Sequence, residues 1–481
     1  MIIDGETHRG AGASLALEDP ATGETIAQID EASAEQAEAA IASANKAFAP
    51  QSAWRTMSPA QRERLLHGLT DAIEAHGDEL AELITWELGA PLGAARHFEV
   101  NKAIETFRYY AGYPTKLHGH TVPLGHDFDG EYFAYTALEP VGVVAAIIPW
   151  NAPLMLAAWK LAPALAAGCT VVLKPSEDAS LAVLRLVELA NAAGFPPGVI
   201  NCVAGKGASV GQALLAADGV DKYTFTGSTS VGRQVHQAAS RTIARTSLEL
   251  GGKSPSIVLE DADIAAIAPA LAMSAFANSG QVCVAASRVF AHHTIADQLG
   301  DALAQFAATL TIGSGFDPAH QIGPLVSERQ LDRVSNYVDT GINQEGGSLV
   351  FGGARHGESG YFFTPTIIAQ LPDTSALLRE EIFGPVLTLE TYDDPLDVCD
   401  IANTADMGLA ACVWGRDHAV VQRLARDLRV GTVFINTPPF PPANIATGGF
   451  RQSGMGRDLG TEGVLGFLEP KSVIDRIGPA A

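Results

Sequence analysis

The chain has 481 residues, of which 47% are hydrophobic and 18% charged, and its formal net charge is −23. That length exceeds what one hydrophobic core usually supports, so we expect about three domains. The acidic surface repels nucleic acid and anionic lipid, because no basic run compensates for it. No uncharged stretch approaches the roughly 20 apolar residues of a membrane-spanning helix. We therefore expect neither nucleic acid nor a membrane as a partner.

The five cysteines are scattered along the chain without CxxC spacing. This pattern argues against a disulfide framework and against a zinc site, so we expect no metal, and the odd number fits a reducing compartment. The residues from Met1 onward lack the basic and apolar regions of a secretory signal. A cytoplasmic protein is therefore the expectation.

Residues 1–30 carry the glycine and proline punctuation of a hairpin region, and residues 33–113 follow a helical pattern. Within them Ser58 has the features of an N-cap, with Pro59 at the first helical position and Gln61 completing a capping box. The N-terminal part is thus predicted to be mainly helical.

A β-like stretch at 118–138 is followed by a continuous apolar run at 141–148, which predicts a strand buried on both faces. Helices and strands then alternate. The predicted helices cover 154–167 and 180–193 and begin near 208 and 231, and the predicted strands cover 170–174, 199–203 and 222–226. Repeated β-α-β units indicate an α/β fold class with a doubly wound, Rossmann-like sheet.

A second α/β unit is predicted from about 255 to 440. Its expected strands lie at 256–259, 287–291, 386–392, 409–414 and 431–435. The prolines between 438 and 442 interrupt regular structure and predict a loop.

Two predicted strands end in turns that suit a nucleotide. The run from Phe225 through Gly227 and Ser228 opens a helix, where small residues and free N–H groups favour a pyrophosphate. An ordinary tight turn is the alternative. At the other strand end Lys174 could hydrogen-bond ribose hydroxyls, and Glu177 could accept from a 2′-hydroxyl while repelling a 2′-phosphate. That pattern favours NAD over NADP; a solvated pair at a helix start is the alternative.

Two further turns leave alternatives open. The run Gly207-Ala-Ser209-Val-Gly211 contains G-x-S-x-G, the pattern of a hydrolase nucleophile elbow, but it also fits a glycine-rich turn beside a nucleotide. Asn151, after the strand at 141–148, could donate its amide to an oxyanion. A loop asparagine that makes a turn is the commoner explanation.

Cys283 and Glu249 are the candidate reactive pair. Small neighbours such as Gly280 and Ala285 would let a substrate reach the sulfur of Cys283. Glu249 ends a strand before two glycines, and a carboxylate in a partly dry cleft can act as general base. The other four cysteines fit a structural role, as free buried cysteines usually do.

Taken together, these motifs resemble the NAD(P)-dependent aldehyde dehydrogenase superfamily, from the Ser58 helix to residues 469–472. They occur in the order of that family. The matching runs are Pro149-Trp-Asn, Lys174-Pro-Ser-Glu, Phe225-Thr-Gly-Ser, Glu249-Leu-Gly-Gly-Lys, Gly280-Gln-Val-Cys, Glu380-Glu-Ile-Phe-Gly-Pro-Val386 and Gly448-Gly-Phe-Arg-Gln-Ser-Gly-Met-Gly-Arg457.

The resemblance implies that Cys283 attacks an aldehyde, that Asn151 and the Cys283 N–H hold the oxyanion, and that Glu249 activates water to hydrolyse the thioester. NAD is the implied cofactor. Its implied binding residues are Trp150, Lys174, Ser176, Glu177, Gly207, Gly211, Phe225, Gly227, Ser228, Glu381 and Phe383.

The resemblance also implies three domains and a homodimer or homotetramer. The expected NAD-binding domain comprises 1–117 and 141–251, the catalytic domain 252–450, and a small β oligomerisation arm 118–140 and 467–481.

Departures from the family pattern indicate a roomy, hydrophobic pocket and hence a hydrophobic or aromatic aldehyde. Ala152 stands where many relatives have phenylalanine. The expected pocket residues are Ala152, Leu156, Trp159, Val282, Val284 and Phe440. An acidic proton relay of the relatives falls at Thr461 and is therefore in doubt, and Arg288 and Arg451 could anchor a charged aldehyde.

Three rival functions remain at this point. A CoA-acylating dehydrogenase would need no base for water, so Glu249 argues against it. A serine hydrolase would use Ser209. A non-catalytic protein on the same scaffold would not need Cys283, Glu249 and Asn151 together.

Overall fold

The computed structural model describes residues 1–124 and 130–478 and confirms the predicted α/β class. Two sheets composed mainly of parallel strands carry helices on their faces, and a small antiparallel sheet lies apart from them. Among the described residues, no helix combines the length and the apolar character that crossing a membrane requires.

The strands follow one another along the chain. They are β1 (Ile2–Ile3), β2 (Glu6–Thr7), β3 (Ser14–Asp19), β4 (Glu24–Asp30), β5 (Thr121–Val122), β6 (Glu131–Pro140), β7 (Val143–Ile147), β8 (Thr170–Lys174), β9 (Ile200–Cys202), β10 (Lys222–Thr226), β11 (Arg245–Glu249), β12 (Pro255–Val258), β13 (Arg288–His292), β14 (Ser348–Phe351), β15 (Thr366–Ala369), β16 (Val386–Tyr392), β17 (Met407–Gly408), β18 (Ala410–Trp414), β19 (Thr432–Ile435), β20 (Phe450–Arg451), β21 (Gly454–Met455) and β22 (Leu468–Gly478).

The α-helices are numbered in the same way. They are α1 (Ala34–Phe48), α2 (Pro59–Ala75), α3 (Gly77–Leu88), α4 (Leu92–Ala94), α5 (Asn101–Ala111), α6 (Pro153–Ala167), α7 (Leu181–Ala192), α8 (Gln212–Ala216), α9 (Thr229–Ser240), α10 (Ile264–Phe276), α11 (Ala296–Ala307), α12 (Glu328–Asp339), α13 (Ala376–Arg379), α14 (Pro395–Asn403), α15 (His418–Asp427) and α16 (Gly460–Leu465). Short π-helical turns lie at Ala95–Val100, Gly207–Gly211 and Thr340–Gln344, and a 3₁₀ turn lies at Ala277–Gly280.

The first sheet has the strand order β2-β1-β9-β8-β7-β10-β11-β21. The run from β9 to β11 is parallel, and its order along the chain is third, second, first, fourth, fifth. This is the doubly wound arrangement in which ligands bind at the carboxyl ends of the strands, where the order reverses. The order reverses between β7 and β10.

The second sheet has the order β14-β15-β16-β13-β12-β18-β19 and is parallel from β15 to β19. The five strands predicted for this unit are present, with ends shifted by one residue at most. The sequence analysis did not identify β14 and β15, whose runs are short and lie between glycine and proline residues.

Strands β22, β6 and β5 form a separate antiparallel sheet. Of the predicted β arm, residues 125–129 and 479–481 lie outside the described residues. The domain limits stay a prediction. The hydrogen bonds show which strands share a sheet, but they do not define where one domain ends and the next begins.

The capping box predicted at Ser58 is confirmed. Its Oγ accepts the N–H of Gln61 at 3.3 Å, and the Oε1 of Gln61 accepts the N–H of Ser58 at 2.8 Å. The helix expected from 208 begins instead as the π-helical turn Gly207–Gly211 and becomes α-helical only in α8.

The helix α6 is buried along its whole length beneath the first sheet. Its apolar sequence, broken by one lysine, explains this position, because a helix that is apolar all round can avoid water only in a core. The helix fixes the residues just before it, Asn151 and Ala152, at the carboxyl end of β7.

Candidate active site

The site lies where neighbouring parallel strands end. Thr226 and Glu249 are paired in register as the last residues of β10 and β11. Trp150 and Asn151 follow β7, which pairs with β10 on its other side. Because parallel strands present their carboxyl ends at one edge, three motifs that are far apart in sequence meet there.

A cavity of about 630 Å³ opens at this edge. It is lined by all three predicted catalytic residues, by all six predicted pocket residues, and by part of the predicted cofactor set. The lining residues that the sequence had singled out are Cys283, Glu249, Asn151, Trp150, Gly227, Ser228, Glu381, Phe383, Ala152, Leu156, Trp159, Val282, Val284 and Phe440.

Cys283 stands on a loop with little freedom. The turn before it places Asn278 and Ser279 at φ of 51° and 55°, and Gly280 at 69°. A Cβ on Gly252 would meet the carbonyl oxygen of Cys283, so only glycine leaves room for this loop. The sulfur position is therefore determined by backbone packing.

The surroundings of Cys283 favour the protonated thiol over the thiolate. Burial raises its pKa to about 12, and the negative charges of Glu381 and Glu249 act in the same direction. A protonated thiol is a poor nucleophile, so attack on a carbonyl requires a base that takes its proton or a positive charge nearby.

Asn151 is tied to the cysteine loop by its side chain and by its main chain. Its Nδ2 donates to the carbonyl oxygen of Gln281 at 2.9 Å, and its own carbonyl oxygen accepts from Asn278 Nδ2 at 2.9 Å. The second N–H of the Asn151 amide can serve an oxyanion beside Cys283.

Glu249 has the features of a general base. Its side chain is buried, and Oε1 has no hydrogen-bond partner among the described residues. Burial raises the pKa of Glu249 well above its usual value, Asp458 raises it further, and Lys160 and Arg457 lower it. A carboxylate with a raised pKa is a stronger base than an ordinary one and can accept a proton from water or a thiol.

The sequence analysis missed a buried ion pair behind Glu249. Lys160 Nζ lies 2.5 Å from Asp458 Oδ2, and the side chains are 0% and 2% exposed. The signal was present, because Lys160 is a lone charge within the apolar helix α6 and such a residue is almost never buried without a partner. Its partner lies 298 residues away.

The acidic relay of the relatives, which falls at Thr461 and was in doubt, has no acidic residue at that position. Thr461 is exposed and its hydroxyl is hydrogen-bonded to Tyr113 at 3.0 Å. The acid that acts on Glu249 is Asp458, three residues earlier, because the chain turns at Leu459 before α16 begins.

The cofactor side of the cavity is held by α12. Gln330 Nε2 donates to the carbonyl oxygen of Phe383 at 2.7 Å, and Arg333 donates to that of Glu381 at 2.6 Å. Phe383 has φ of 61°, and its ring meets Trp150 edge-on with centroids 5.2 Å apart. Neither α12 residue was singled out from the sequence.

Glu381 turns its carboxylate towards the Glu249 loop. Its Oε1 accepts the Gly252 N–H at 3.1 Å, and a Cβ on Gly251 would meet its Oε2. Burial raises the pKa of Glu381 to about 7, and the Gly252 N–H opposes that shift. A carboxylate at this point can accept hydrogen bonds from ribose hydroxyls.

The remaining predicted cofactor residues lie outside the lining of the cavity, at or near the ends of neighbouring strands. Lys174 ends β8, where its Nζ donates to the Pro175 carbonyl oxygen at 2.9 Å and lies 3.9 Å from Glu177. Phe225 is part of the core beneath Gly227. The others are Ser176, after β8, and Gly207 and Gly211, in the turn after β9.

Ser209 has the contacts of a structural residue. Its hydroxyl donates to Glu31 at 2.8 Å, and the same carboxylate oxygen accepts the Lys206 N–H at 2.5 Å. Ser209 does not line the cavity. A hydroxyl whose proton is donated to a carboxylate away from the cavity offers no support for a nucleophile.

Arg288 and Arg451, considered as anchors for a charged aldehyde, are directed elsewhere. Arg288 donates to the carbonyl oxygens of Lys253 and Ala402, and Arg451 to those of Asn403 and Met407. Neither lines the cavity. Both stabilise the carboxyl end of α14, where a cation is favoured by the helix dipole.

The substrate side of the cavity is apolar beyond the predicted residues. Phe434 and Phe440 contact each other with centroids 5.9 Å apart. Side chains that the sequence analysis did not include are Phe98, Met155, Met273 and Phe434. They come from four different elements, so no single motif could reveal them.

The sequence matches the model of the aldehyde dehydrogenase family over residues 8–473. It is 41% identical over 479 residues to a phenylacetaldehyde dehydrogenase of Pseudomonas fluorescens, covering 98% of this chain and 95% of that protein. It is 40% identical over 459 residues to the mitochondrial aldehyde dehydrogenase of Homo sapiens, covering 95% of this chain and 88% of that protein.

Solved structures show the same similarity. The fold matches the NAD⁺ complex of an aldehyde dehydrogenase from Bacillus cereus with a TM-score of 0.96 and 40% identity, covering 99% of this chain and 96% of that one.

Proposed function

The chain belongs to the aldehyde dehydrogenase family, and from that premise we propose that it uses NAD to oxidise a hydrophobic or aromatic aldehyde to the carboxylic acid. The observation that carries the proposal is the convergence of Cys283, Asn151 and Glu249 on one cavity. The three groups provide a nucleophile, an oxyanion donor and a base, which the two half-reactions of such an oxidation need.

The residues around the cavity fit NAD. Ser228 is the N-cap of α9, whose free N–H groups suit a pyrophosphate. Trp150, Glu381 and Phe383 lie on the side that would hold the nicotinamide ribose and ring. Thr226 Oγ1 and Glu249 Oε1 are buried and have no hydrogen-bond partner among the described residues. Such atoms are expected where a bound ligand or water supplies the hydrogen bond.

We assign the adenosine ribose to Lys174 and Glu177. Lys174 is buried at the end of β8 and lies near the Glu177 carboxylate, which remains partly exposed. The negative charge at this point disfavours a 2′-phosphate, which supports NAD over NADP. Bound NAD would supply a positive charge near the thiol and an acceptor for the hydride.

In the first half-reaction the Cys283 sulfur attacks the aldehyde carbon, and Glu249 is the candidate acceptor for the thiol proton. Asn151 Nδ2 and the Cys283 N–H stabilise the oxyanion of the thiohemiacetal. Loss of hydride from the former aldehyde carbon restores the C=O bond and leaves a thioester on Cys283.

Before the second half-reaction Glu249 releases the thiol proton to solvent. Its carboxylate then takes a proton from water, which attacks the thioester carbon. The C–S bond breaks and the acid leaves, and the sulfur regains a proton. The raised pKa of Glu249 supports this role, and the Lys160–Asp458 pair behind it tunes that pKa. A CoA-acylating enzyme would not need this base, so Glu249 favours water as the acceptor.

The apolar lining supports a hydrophobic or aromatic substrate. Among the described residues, the arginines that line the cavity are Arg329 and Arg333 of α12, on the cofactor side, and no lysine lines it. The wall formed by Ala152, Leu156 and Trp159 therefore carries no positive charge. The similarity to an enzyme named for phenylacetaldehyde agrees with this assignment.

The decisive experiment compares the wild type with Cys283→Ala. Phenylacetaldehyde and NAD should yield NADH at 340 nm and phenylacetic acid with the wild type and nothing measurable with the variant. Cys399→Ala, at a buried free cysteine away from the cavity, is the matched control and should retain activity. Full activity in Cys283→Ala would refute the mechanism.

We also propose a homodimer or homotetramer in the cytoplasm. Phe133, Tyr135, Ile474 and Ile477 expose apolar surface on the sheet formed by β5, β6 and β22, which a partner subunit could cover. All five cysteines are free, which suits a reducing compartment. Size-exclusion chromatography with light scattering tests the assembly.

A further inference from the structure

Glu99 is a buried carboxyl group on the wall of the cavity that the reaction scheme does not use. It is 5% exposed and lies in the π-helical turn Ala95–Val100, beside Phe98. π-Helical turns are uncommon and recur at functional sites. Burial raises the pKa of Glu99 to about 8 because it disfavours the charged form. A carboxyl group is buried at this cost only where it makes hydrogen bonds that stabilise the structure.

Its partner is the amino end of α6. Glu99 Oε1 accepts the N–H of Leu154 at 2.8 Å, and the N–H of Met155 is a second donor to the carboxyl group. The N-cap position of α6 is Ala152, which has no side chain that could accept a hydrogen bond. Glu99 therefore supplies from another element the cap that this buried helix lacks.

The segment just before α6 contains Asn151. The Asn151 side chain donates to Gln281, and its carbonyl oxygen accepts from Asn278, both at 2.9 Å. The segment from Asn151 to Leu154 is thus held at one end by the Cys283 loop and at the other by Glu99. If the second attachment is lost, the start of α6 can shift and carry Asn151 with it.

We propose that Glu99 is a positioning residue for Asn151, acting through its cap on α6 to keep the oxyanion donor at the right place beside Cys283. This inference rests on the proposed function, since it takes Asn151 to be the oxyanion donor. Displacement of a catalytic group by 1 Å can lower the rate about 100-fold, so a smaller shift should still be measurable in kcat.

The chain contains a matched control. Glu87, in α3, is equally buried and caps α7 in the same way, with its oxygens accepting from Leu181 at 2.7 Å and Ala182 at 3.3 Å. Burial raises its pKa to about 8 as well. Glu87 does not line the cavity and α7 does not follow Asn151, so its loss removes a buried helix cap without touching the oxyanion donor.

The test compares leucine and glutamine variants at both positions, with kcat and KM measured at saturating NAD and thermal stability measured in parallel. Glu99→Leu should lower kcat about tenfold or more with KM within about twofold. Glu99→Gln should keep most of kcat, because its amide oxygen still accepts from Leu154. Glu87→Leu should lose a similar amount of thermal stability but keep kcat within about twofold. Glu99→Asp, whose arm is one methylene shorter, replaces Glu99→Leu if that variant does not fold, with the same expected loss.

A double-mutant cycle identifies the route of the effect. If Glu99 acts through Asn151, Glu99→Leu should lower kcat in the wild type but hardly further in Asn151→Ala, whereas independent effects would multiply. Equal losses of kcat in Glu99→Leu and Glu87→Leu, or independent effects in the cycle, would overturn the inference while leaving the proposed function intact. A wild type that forms no NADH with any aldehyde would overturn both.

Discussion

Lys160 Nζ and Asp458 Oδ2 form a buried ion pair 2.5 Å long, directly behind the carboxyl group of Glu249. Asp458 raises the pKa of Glu249, and Lys160 lowers it. Breaking a buried pair leaves one charge uncompensated. The pKa of Glu249 should then shift in the direction that the remaining charge favours.

Opposite shifts of the pH profile are therefore expected from the two halves of the pair. Lys160→Met leaves Asp458 alone and should move the acid limb of kcat to higher pH. Asp458→Asn leaves Lys160 alone and should move it to lower pH. Stopped-flow and steady-state rates between pH 5.5 and about 9 measure the limbs.

Both variants should also lose stability, by about 3–5 kcal/mol, because an unpaired charge remains buried. The exposed pair Lys471–Glu139 is the control, and Lys471→Met should cost less than about 1 kcal/mol and leave the profile unchanged. Shifts of the two limbs in the same direction would contradict the assigned signs.

Replacing Glu249 with glutamine should separate the two half-reactions. The thioester should form more slowly, because Glu249 no longer takes the thiol proton and only the positive charge of bound NAD favours the thiolate. It should then persist, because no base activates water, so NADH appears as a burst followed by turnover at least about 100-fold slower. Mass spectrometry should find the acyl group on Cys283. A variant that hydrolyses the thioester at the wild-type rate would show that Glu249 is not the base.

Gly252→Ala should displace the loop that carries Cys283 while leaving the thiol group itself unchanged. The added Cβ would meet the Cys283 carbonyl oxygen, so the loop must move and kcat should fall at least about tenfold. Gly68→Ala is the control, since a Cβ at that helical position has open space and should stabilise α2 by about 0.5–1 kcal/mol. Alkylation rates of the Cys283 thiol report its displacement.

Ala152→Phe should narrow the substrate side of the cavity. We expect kcat/KM for phenylacetaldehyde to fall about tenfold or more, while acetaldehyde, which needs less room, should be affected much less. Both substrates are measured with the same enzyme preparation as a control, because damage to Cys283 would lower both rates equally. Equal losses for both would mean that Ala152 does not set the size of the pocket.

The buried carboxyl group of Glu87 predicts how stability depends on pH. Its pKa is raised from 4.5 to about 8, so the folded state binds more protons than the unfolded state between those values. The contribution of Glu87 to stability is then full below pH 4.5 and is lost as pH rises through about 8. The glutamine variant should show a smaller decrease in Tm between pH 5.5 and 8.5 than the wild type, and an unchanged slope would refute the assignment.

The local pattern of the sequence predicted much of the fold. Apolar runs of strand length identified β7 and β8 because strands buried on both faces leave no polar residues in the run. The turns after them, which carry Asn151 and Lys174, had to lie at one sheet edge once the strands were parallel. The order of motifs along the chain therefore identified the family and predicted Cys283 and Glu249 as its reactive pair.

Tertiary structure alone decided which distant residues complete the site. Asp458 reaches Lys160, and Glu99 reaches the start of α6, through contacts between elements that no periodicity links. Sequence spacing likewise did not indicate that the charge of Asp458 would raise the pKa of Glu249. Periodicity and turn chemistry are local and can be read from the chain, whereas the pairing of buried charges depends on how the whole chain packs.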